Sequence, residues 1–172
     1  DLIFFSGCTL RCCFCQNYSI SSATYGKEIS EQKLARIFLE LQDQGAHNIN
    51  LVTATQYLPS ILNALDLVKN QLEIPVVYNS SGYEKPETIR LLKGYVDIYL
   101  PDLKYFSSEL SRKYSKAEDY FEVASCAIKL MIEQTGTPVF DSDGMLQKGV
   151  IVRHLVLPNC RKDSISLLHW LT

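Results

Sequence analysis

The sequence has no long apolar run and no large excess of charge. No apolar stretch approaches the roughly 18 residues that a membrane-spanning helix needs, and the run at residues 2–5 is too short for a signal peptide. The 17 basic and 19 acidic residues leave a formal net charge of −2, which gives no bulk electrostatic reason for binding nucleic acid or an anionic membrane. We therefore expect a cytoplasmic protein without nucleic-acid or membrane partners.

A disulfide-rich pattern is also absent, because four of the six cysteines crowd into residues 8–15. Cys8, Cys12 and Cys15 follow a C-x3-C-x2-C spacing, close enough for one loop to bind three irons of a cubane iron–sulfur cluster. Three cysteines leave one iron open, and an open coordination site lets a metal bind a substrate. The spacing predicts a metal centre in preference to a disulfide framework.

Strand-like and helix-like segments alternate along the chain. We predict strands at 2–5, 48–52, 75–78, 95–100 and 150–157, and helices at 30–45, 61–72, 86–92, 121–136 and from about 163. Residues 105–118 are expected to be irregular, and Asp143-Gly144 to form a tight turn. This alternation predicts an α/β fold with a parallel sheet, whose ligands bind at the carboxyl ends of the strands.

The cysteine loop follows the first predicted strand, and an aromatic residue, Phe14, precedes its third cysteine. In these features the chain resembles the radical S-adenosylmethionine (SAM) superfamily. Residues 5–12 (FSGCTLRC) and 15–18 (CQNY) are similar to pyruvate formate-lyase-activating enzymes and their less characterised relatives. The resemblance implies one radical SAM core domain over residues 1–172, truncated at both ends. Its fold would be a partial parallel (β/α)6-type barrel with about five β/α units, its last strand missing and its fifth strand left as an exposed edge.

The resemblance further implies a 4Fe–4S cluster held by Cys8, Cys12 and Cys15, with Phe14 beside the cofactor. SAM would bind the open iron through its amino and carboxylate groups. An electron from a low-potential donor, flavodoxin or ferredoxin, would then cleave SAM to methionine and a 5′-deoxyadenosyl radical. Such a radical abstracts hydrogen from most C–H bonds, so the protein must position the target and exclude water and oxygen.

Other strand ends match the superfamily one position at a time. After the second strand, Thr53-Ala54-Thr55 replaces the Gly-Gly-Glu that contacts the methionine amino group, and the hydroxyls of Thr53 and Thr55 could accept hydrogen bonds instead. This departure favours the less characterised branch. The remaining cofactor-binding residues that the resemblance implies are Asn79 and Ser80 after the third strand, Asp102 and Lys104 after the fourth, and Arg153 on the fifth.

Several cysteine and histidine residues allow other interpretations. Three of the clustered cysteines with His154 or Cys160 could instead form a tetrahedral zinc site. We interpret Cys13 as a bystander, Cys126 as a small buried side chain, and Cys160 as a loop residue without a role. Arg153 and His154 should point to opposite sides of a strand, with Arg153 facing the site.

Three functions remain open from the sequence. The resemblance favours a radical SAM oxidoreductase that activates a glycyl radical enzyme by abstracting hydrogen from a glycine of that partner. A radical SAM enzyme acting on a small molecule or another peptide is the first alternative. A non-catalytic iron–sulfur or zinc-binding module is the second.

Overall fold

The structure, a computed structural model, describes residues 1–23 and 25–172. Within them, six strands form one sheet in the order β1-β2-β3-β4-β6-β5. All neighbours are parallel except β5 and β6, and the sheet stays open. The α/β class and the parallel sheet are confirmed. The strands are β1 Leu2–Phe4, β2 Ile49–Val52, β3 Val76–Ser80, β4 Ile98–Pro101, β5 Val139–Phe140 and β6 Leu146–Val150.

The helices lie between these strands or, for the last one, after them, largely where the apolar periodicity predicts them. Ser30 caps α2 as expected, because its hydroxyl accepts a hydrogen bond from the Lys33 amide at 3.2 Å. None of the helices described is long and apolar enough to cross a membrane. The helices are α1 Tyr18–Ser21, α2 Glu31–Asp43, α3 Leu58–Val68, α4 Pro86–Leu91, α5 Ser108–Ser115, α6 Tyr120–Thr135 and α7 Arg161–Leu171, with a 3₁₀ turn at Thr55–Tyr57.

The core packs the helices against the central strands. Every residue of β3 is buried, as expected for a parallel strand covered on both faces. Burying each large core side chain contributes about 2 kcal/mol by area. Because β3 lies in the middle of the sheet, its carboxyl end, Asn79 and Ser80, is placed at the centre of the edge where ligands bind. The largest buried side chains include Tyr78, Tyr99, Tyr105, Tyr120, Phe38, Ile61 and Ile128.

The prediction of an irregular segment at 105–118 is wrong, because this segment contains α5. Its buried face carries Ser111 and Ser115, so the apolar periodicity that reveals a helix is missing. Ser107 nevertheless supplies an N-cap, its hydroxyl accepting a hydrogen bond from the Leu110 amide at 3.4 Å.

The fifth predicted strand also differs. The strand β6 ends at Val150, although backbone hydrogen bonds to the β4 side continue as far as Arg153, whose carbonyl accepts from the Leu103 amide at 2.8 Å. The backbone hydrogen bonds between the two segments end at Leu103 and Arg153, and residues 154–157 form no strand despite their strand propensity. The predicted exposed edge is partly covered, because β5 pairs with β6. The predicted turn at Asp143-Gly144 joins this hairpin.

Cys126, predicted to be buried, is exposed. The buried residues of α6 include Ala124, Ala127 and Ile128. At 100° per residue, Cys126 lies well away from Ala124 around the helix, and the neighbouring alanine packs in its place.

Gly82 allows a close approach between the β3 and β4 loops. Its φ is +77°, and an added Cβ would press on the Asp102 carbonyl and come near the Tyr120 hydroxyl. We expect Gly82→Ala to lower the free energy of unfolding by about 2 kcal/mol or more. Gly94→Ala, with a φ of +85° but no atom nearby, should cost only about 1 kcal/mol. Urea unfolding of both variants tests this, and equal losses would show that the close approach carries no cost.

Candidate functional site

The cysteine loop leaves the sheet at the carboxyl end of β1 and is fixed by backbone contacts. The Gly7 amide donates to the Ile20 carbonyl at 3.0 Å, which closes the loop onto α1. From the turn after β2, the Gln56 side-chain amide donates to the carbonyls of Ser6 at 2.6 Å and Gly7 at 3.0 Å. Two neighbouring strand ends therefore hold the entrance of the loop.

The thiols of this loop differ in exposure. Cys8, Cys12 and Cys15 are half-buried, whereas Cys13 is exposed. Burial raises the pKa of the Cys8 thiol, and the nearby Cys12 and Cys15 raise it further. Burial likewise raises the pKa of Cys12, although a hydrogen bond from Ser115 opposes it. The three thiols interact electrostatically, so ionising one makes it harder to ionise the others. A bound metal cation would offset this cost.

Four charged or polar side chains form one network, called here the charge network. They come from the carboxyl ends of β3 and β4 and from the segment after β6, and they are Asn79, Asp102, Lys104 and Arg153. Arg153 Nη2 forms an ion pair with Asp102 Oδ1 at 2.9 Å and donates a hydrogen bond to Asn79 Oδ1 at 2.7 Å. The Lys104 ammonium donates to Asp102 Oδ2 at 2.5 Å. One carboxylate thus holds two cations, so the network has a surplus positive charge that suits an anionic ligand.

Lys104 connects this network to the cysteine loop. Its ammonium lies near enough to lower the pKa of both Cys8 and Cys12, against the larger effect of burial. Its backbone amide donates to the Tyr120 hydroxyl at 3.0 Å, which itself donates to the Ser81 and Asp102 carbonyls. The thiols and the charge network therefore belong to one site.

A second polar cluster lies behind the ends of β2 and β3. The Thr55 hydroxyl donates to Glu84 Oε1 at 2.7 Å, and the Tyr78 hydroxyl donates to the same oxygen at 3.2 Å. Glu84 is only 2% exposed, and its Oε2 has no hydrogen-bond partner among the described residues. Burial raises the pKa of Glu84 to about 7, with the hydrogen bonds from Thr55 and Tyr78 opposing the rise.

Thr53 has a backbone conformation that usually requires glycine. Its φ is +59°, and its amide donates to the Asn79 carbonyl at 3.0 Å. A left-handed conformation is costly for a β-branched residue. Glycine adopts this conformation without strain, so Thr53 occupies a backbone position that is suited to glycine.

Three of the predicted site residues have side chains that already contact other parts of the protein. Phe14 is half-buried and packs against the hydrophobic core. The Ser80 hydroxyl accepts a hydrogen bond from the Gly82 amide at 3.1 Å, and the Thr55 hydroxyl is engaged by Glu84. Asn79, Asp102, Lys104 and Arg153 are brought together in the network. Glu84 was missed because it follows a loop, and its only sequence signal is an acidic residue shortly after a buried strand.

Both ring nitrogens of His154 have hydrogen-bond partners outside the cysteine loop. Its Nδ1 lies 2.7 Å from the Leu103 carbonyl and its Nε2 lies 2.8 Å from the Ser164 hydroxyl. Arg153, its neighbour, joins the charge network, as the alternation of a strand predicts.

Within residues 1–23 and 25–172, no three His, Cys, Asp or Glu side chains converge on a point suited to a single metal ion.

The fold and these residues define an α/β protein with a cysteine loop and a cationic network at the carboxyl edge of an open parallel sheet. The chain belongs to the Radical SAM superfamily, whose family model matches residues 2–142. Members of this superfamily use a 4Fe–4S cluster and SAM.

The chain is also similar to particular proteins. It is 36% identical over 166 residues to the uncharacterized protein MJ0674 of Methanocaldococcus jannaschii, covering 91% of this chain and 44% of that protein. Streptococcus suis SuiB bound to SAM superposes with a TM-score of 0.68 at 17% identity, covering 98% of this chain and 36% of SuiB. Methylornithine synthase (PylB) gives a TM-score of 0.67 at 16% identity, covering 99% and 49%. The chain thus spans less than half of each of these proteins, and the two structures show a shared fold.

Proposed function

We propose that Cys8, Cys12 and Cys15 hold a 4Fe–4S cluster and that residues 1–172 form the radical SAM core of an enzyme. The observation that carries this proposal is the position of the three half-buried thiols, on a loop at the carboxyl end of β1 and beside Lys104. The donor set fits, because thiolates are the usual ligands of iron–sulfur clusters and three leave one iron open. When bound, the reduced cluster and SAM supply a 5′-deoxyadenosyl radical for hydrogen abstraction.

The charge network is suited to the amino acid part of SAM. Its surplus cation, on Lys104 or Arg153, would donate hydrogen bonds to the carboxylate, and the oxygens of Asp102 and Asn79 would accept hydrogen bonds from the ammonium. Lys104 and Asp102 are only 14% and 22% exposed in their side chains, so these interactions would be little screened by solvent. Phe14, Thr53, Thr55 and Ser80 complete the proposed cofactor site. Ser80 and Thr55 would act by shaping it, since their hydroxyls are already engaged.

We expect Lys104→Ala and Arg153→Ala to weaken SAM binding about 10- to 100-fold, because each removes a charge-assisted hydrogen bond worth roughly 1.5–3 kcal/mol. Equilibrium dialysis with the reconstituted protein measures the dissociation constant. Lys93→Ala is the matched control, since Lys93 is exposed and lies before β4, at the opposite edge of the sheet. Unchanged affinity in both site variants, with the fold intact by circular dichroism, would remove them from the cofactor site.

The target of the radical is proposed to be a glycine of a glycyl radical enzyme. This rests on the similarity of residues 5–12 and 15–18 to pyruvate formate-lyase-activating enzymes. The open sheet supports a large substrate, because a peptide segment could reach its carboxyl edge from the side that a closed barrel would cover. The SuiB structure bound to its precursor peptide SuiA adds a peptide-binding example with the same fold.

The activase proposal is tested with the purified, reconstituted protein. Anaerobic incubation with SAM, reduced flavodoxin and pyruvate formate-lyase should produce an organic radical in the electron paramagnetic resonance (EPR) spectrum of the partner. Formation of 5′-deoxyadenosine without that radical would contradict this target and favour a small molecule or another peptide. Replacing flavodoxin with ferredoxin would then identify the better electron donor.

A further inference from the structure

The end of α5 is bound to the cysteine loop on both sides of Cys12. The Arg11 amide donates to the Ser115 carbonyl at 3.3 Å, and the Cys13 amide donates to the Tyr114 carbonyl at 2.9 Å. The last carbonyls of a helix have no partner inside it, so these two amides satisfy groups that would otherwise need solvent. The end of α5 therefore fixes the backbone on both sides of Cys12.

The same helix end also contacts the sulfur of Cys12. The Ser115 hydroxyl donates to Cys12 Sγ at 2.9 Å. The Tyr105 hydroxyl lies 2.6 Å from the same serine oxygen. Because the single proton of Ser115 is used toward sulfur, its oxygen must accept the proton of Tyr105. The direction of the chain is thus fixed from Tyr105 through Ser115 to Cys12.

This hydrogen-bonded chain lies in the protein interior. Tyr105 is 0% exposed and Ser115 is 1% exposed, so water does not compete for either hydroxyl. Hydrogen bonds in sequence polarise one another in a low-dielectric interior, which strengthens the last one, to the sulfur. Removal of the Ser115 hydroxyl should therefore abolish the hydrogen bond to Cys12 Sγ, and removal of the Tyr105 hydroxyl should weaken it.

The other two sulfur atoms have different surroundings. Cys15 Sγ lies 3.2 Å from the Ser21 hydroxyl, a single and longer contact. Among the side chains that the structure describes, none makes a hydrogen bond to Cys8 Sγ. The three thiols are therefore graded, with Cys12 receiving the strongest donor.

We propose that the Tyr105–Ser115 chain tunes the reduction potential of the bound cluster through the sulfur of Cys12. This inference rests on the proposed function, in which Cys12 is a cluster ligand. Reduction adds one electron from the low-potential donor and makes the cluster more negative. A hydrogen bond to a ligand sulfur stabilises that added charge and raises the potential. No covalent bond breaks in this series of hydrogen bonds, and the hydroxyl protons of Tyr105 and Ser115 stay on their own oxygens.

The test is an EPR-monitored redox titration of anaerobically reconstituted protein without SAM. Ser115→Ala is expected to shift the potential to a more negative value, and Tyr105→Phe to shift it in the same direction by less. Ser111→Ala is the matched control, because this serine is buried in the same helix but donates to the Ser108 and Glu118 carbonyls instead of a sulfur. Its potential should equal that of the parent protein.

The outcomes separate this inference from the proposed function. If the parent protein assembles a cluster and the potential of Ser115→Ala equals that of Ser111→Ala, the tuning role is wrong while the cluster stands. If Ser115→Ala loses the cluster, Tyr105→Phe decides, since it keeps the serine hydroxyl and the ring. An unshifted potential there would also overturn the inference. A parent protein that assembles no cluster would contradict the proposed function itself.

Discussion

Alanine in place of Cys8, Cys12 or Cys15 is expected to abolish SAM cleavage and most iron binding, each substitution having this effect alone. The physical reason is the number of thiolate ligands. Three cysteines bind three of the four irons, so removing one thiolate leaves two irons without a protein ligand. The three residues are half-buried on one loop, whereas the neighbouring Cys13 is exposed, so we expect no other thiol to replace a missing ligand. Iron content and 5′-deoxyadenosine production measure the effect.

Cys13→Ala is the internal control for these variants. Cys13 lies between two of the proposed ligands but is exposed, and only its backbone amide contributes to the loop, through the Tyr114 carbonyl. Alanine keeps that amide. Iron content and cleavage should therefore equal those of the parent protein. Full activity in Cys15→Ala, or its loss in Cys13→Ala, would overturn the ligand assignment.

Glu84→Gln is expected to remove a loss of stability of about 3 kcal/mol that the parent protein undergoes as the pH rises. Burial raises the pKa of Glu84 from its ordinary value of 4.5 to about 7 in the folded protein. The folded protein binds this proton more tightly than the unfolded chain does. Stability from Glu84 is therefore fully present below about pH 4.5. It falls as the pH rises toward about 7, where the buried carboxyl ionises.

Glutamine stays neutral at every pH, and its carbonyl oxygen can accept the hydrogen bonds from Thr55 and Tyr78 that Glu84 Oε1 accepts. Urea unfolding of the parent and the variant at about pH 5 and about pH 8 isolates the effect, since all other groups are shared. The variant should gain on the parent as the pH rises. Glu87→Gln is the control, because Glu87 is exposed and should show no such gain. Parallel pH profiles for Glu84→Gln and its parent would show that Glu84 titrates normally.

The sheet could be predicted because its strands are short apolar runs separated by amphipathic helices. Ser30 marked the start of α2 and Gly45, with a φ of +82°, its end, so local chemistry and fold agreed there. The helix α5 could not be predicted from apolar periodicity because its buried residues are serines, and the partners of these serines are distant in sequence. Ser115 contacts Cys12 across 103 residues, and no local pattern reveals such a contact.

The candidate site was predictable only in part. The strand-end rule correctly gathered Asn79, Asp102 and Arg153 at one edge, and the structure adds their pairing through a single carboxylate. Glu84 and Tyr78 could not be predicted as a pair, because their contact with Thr55 depends on how the loops after β2 and β3 fold over each other. Burial, which sets the pKa of Glu84, is likewise a property of the packed structure.

The proposal that this chain carries a catalytic cluster is tested most directly by anaerobic reconstitution with iron and sulfide, followed by reduction in the presence of SAM. We expect about four irons per chain and the formation of 5′-deoxyadenosine and methionine. One zinc per chain with no cleavage of SAM would contradict the proposal and support a structural metal site. Bound iron–sulfur cluster without cleavage would contradict it as well, and would favour a non-catalytic module.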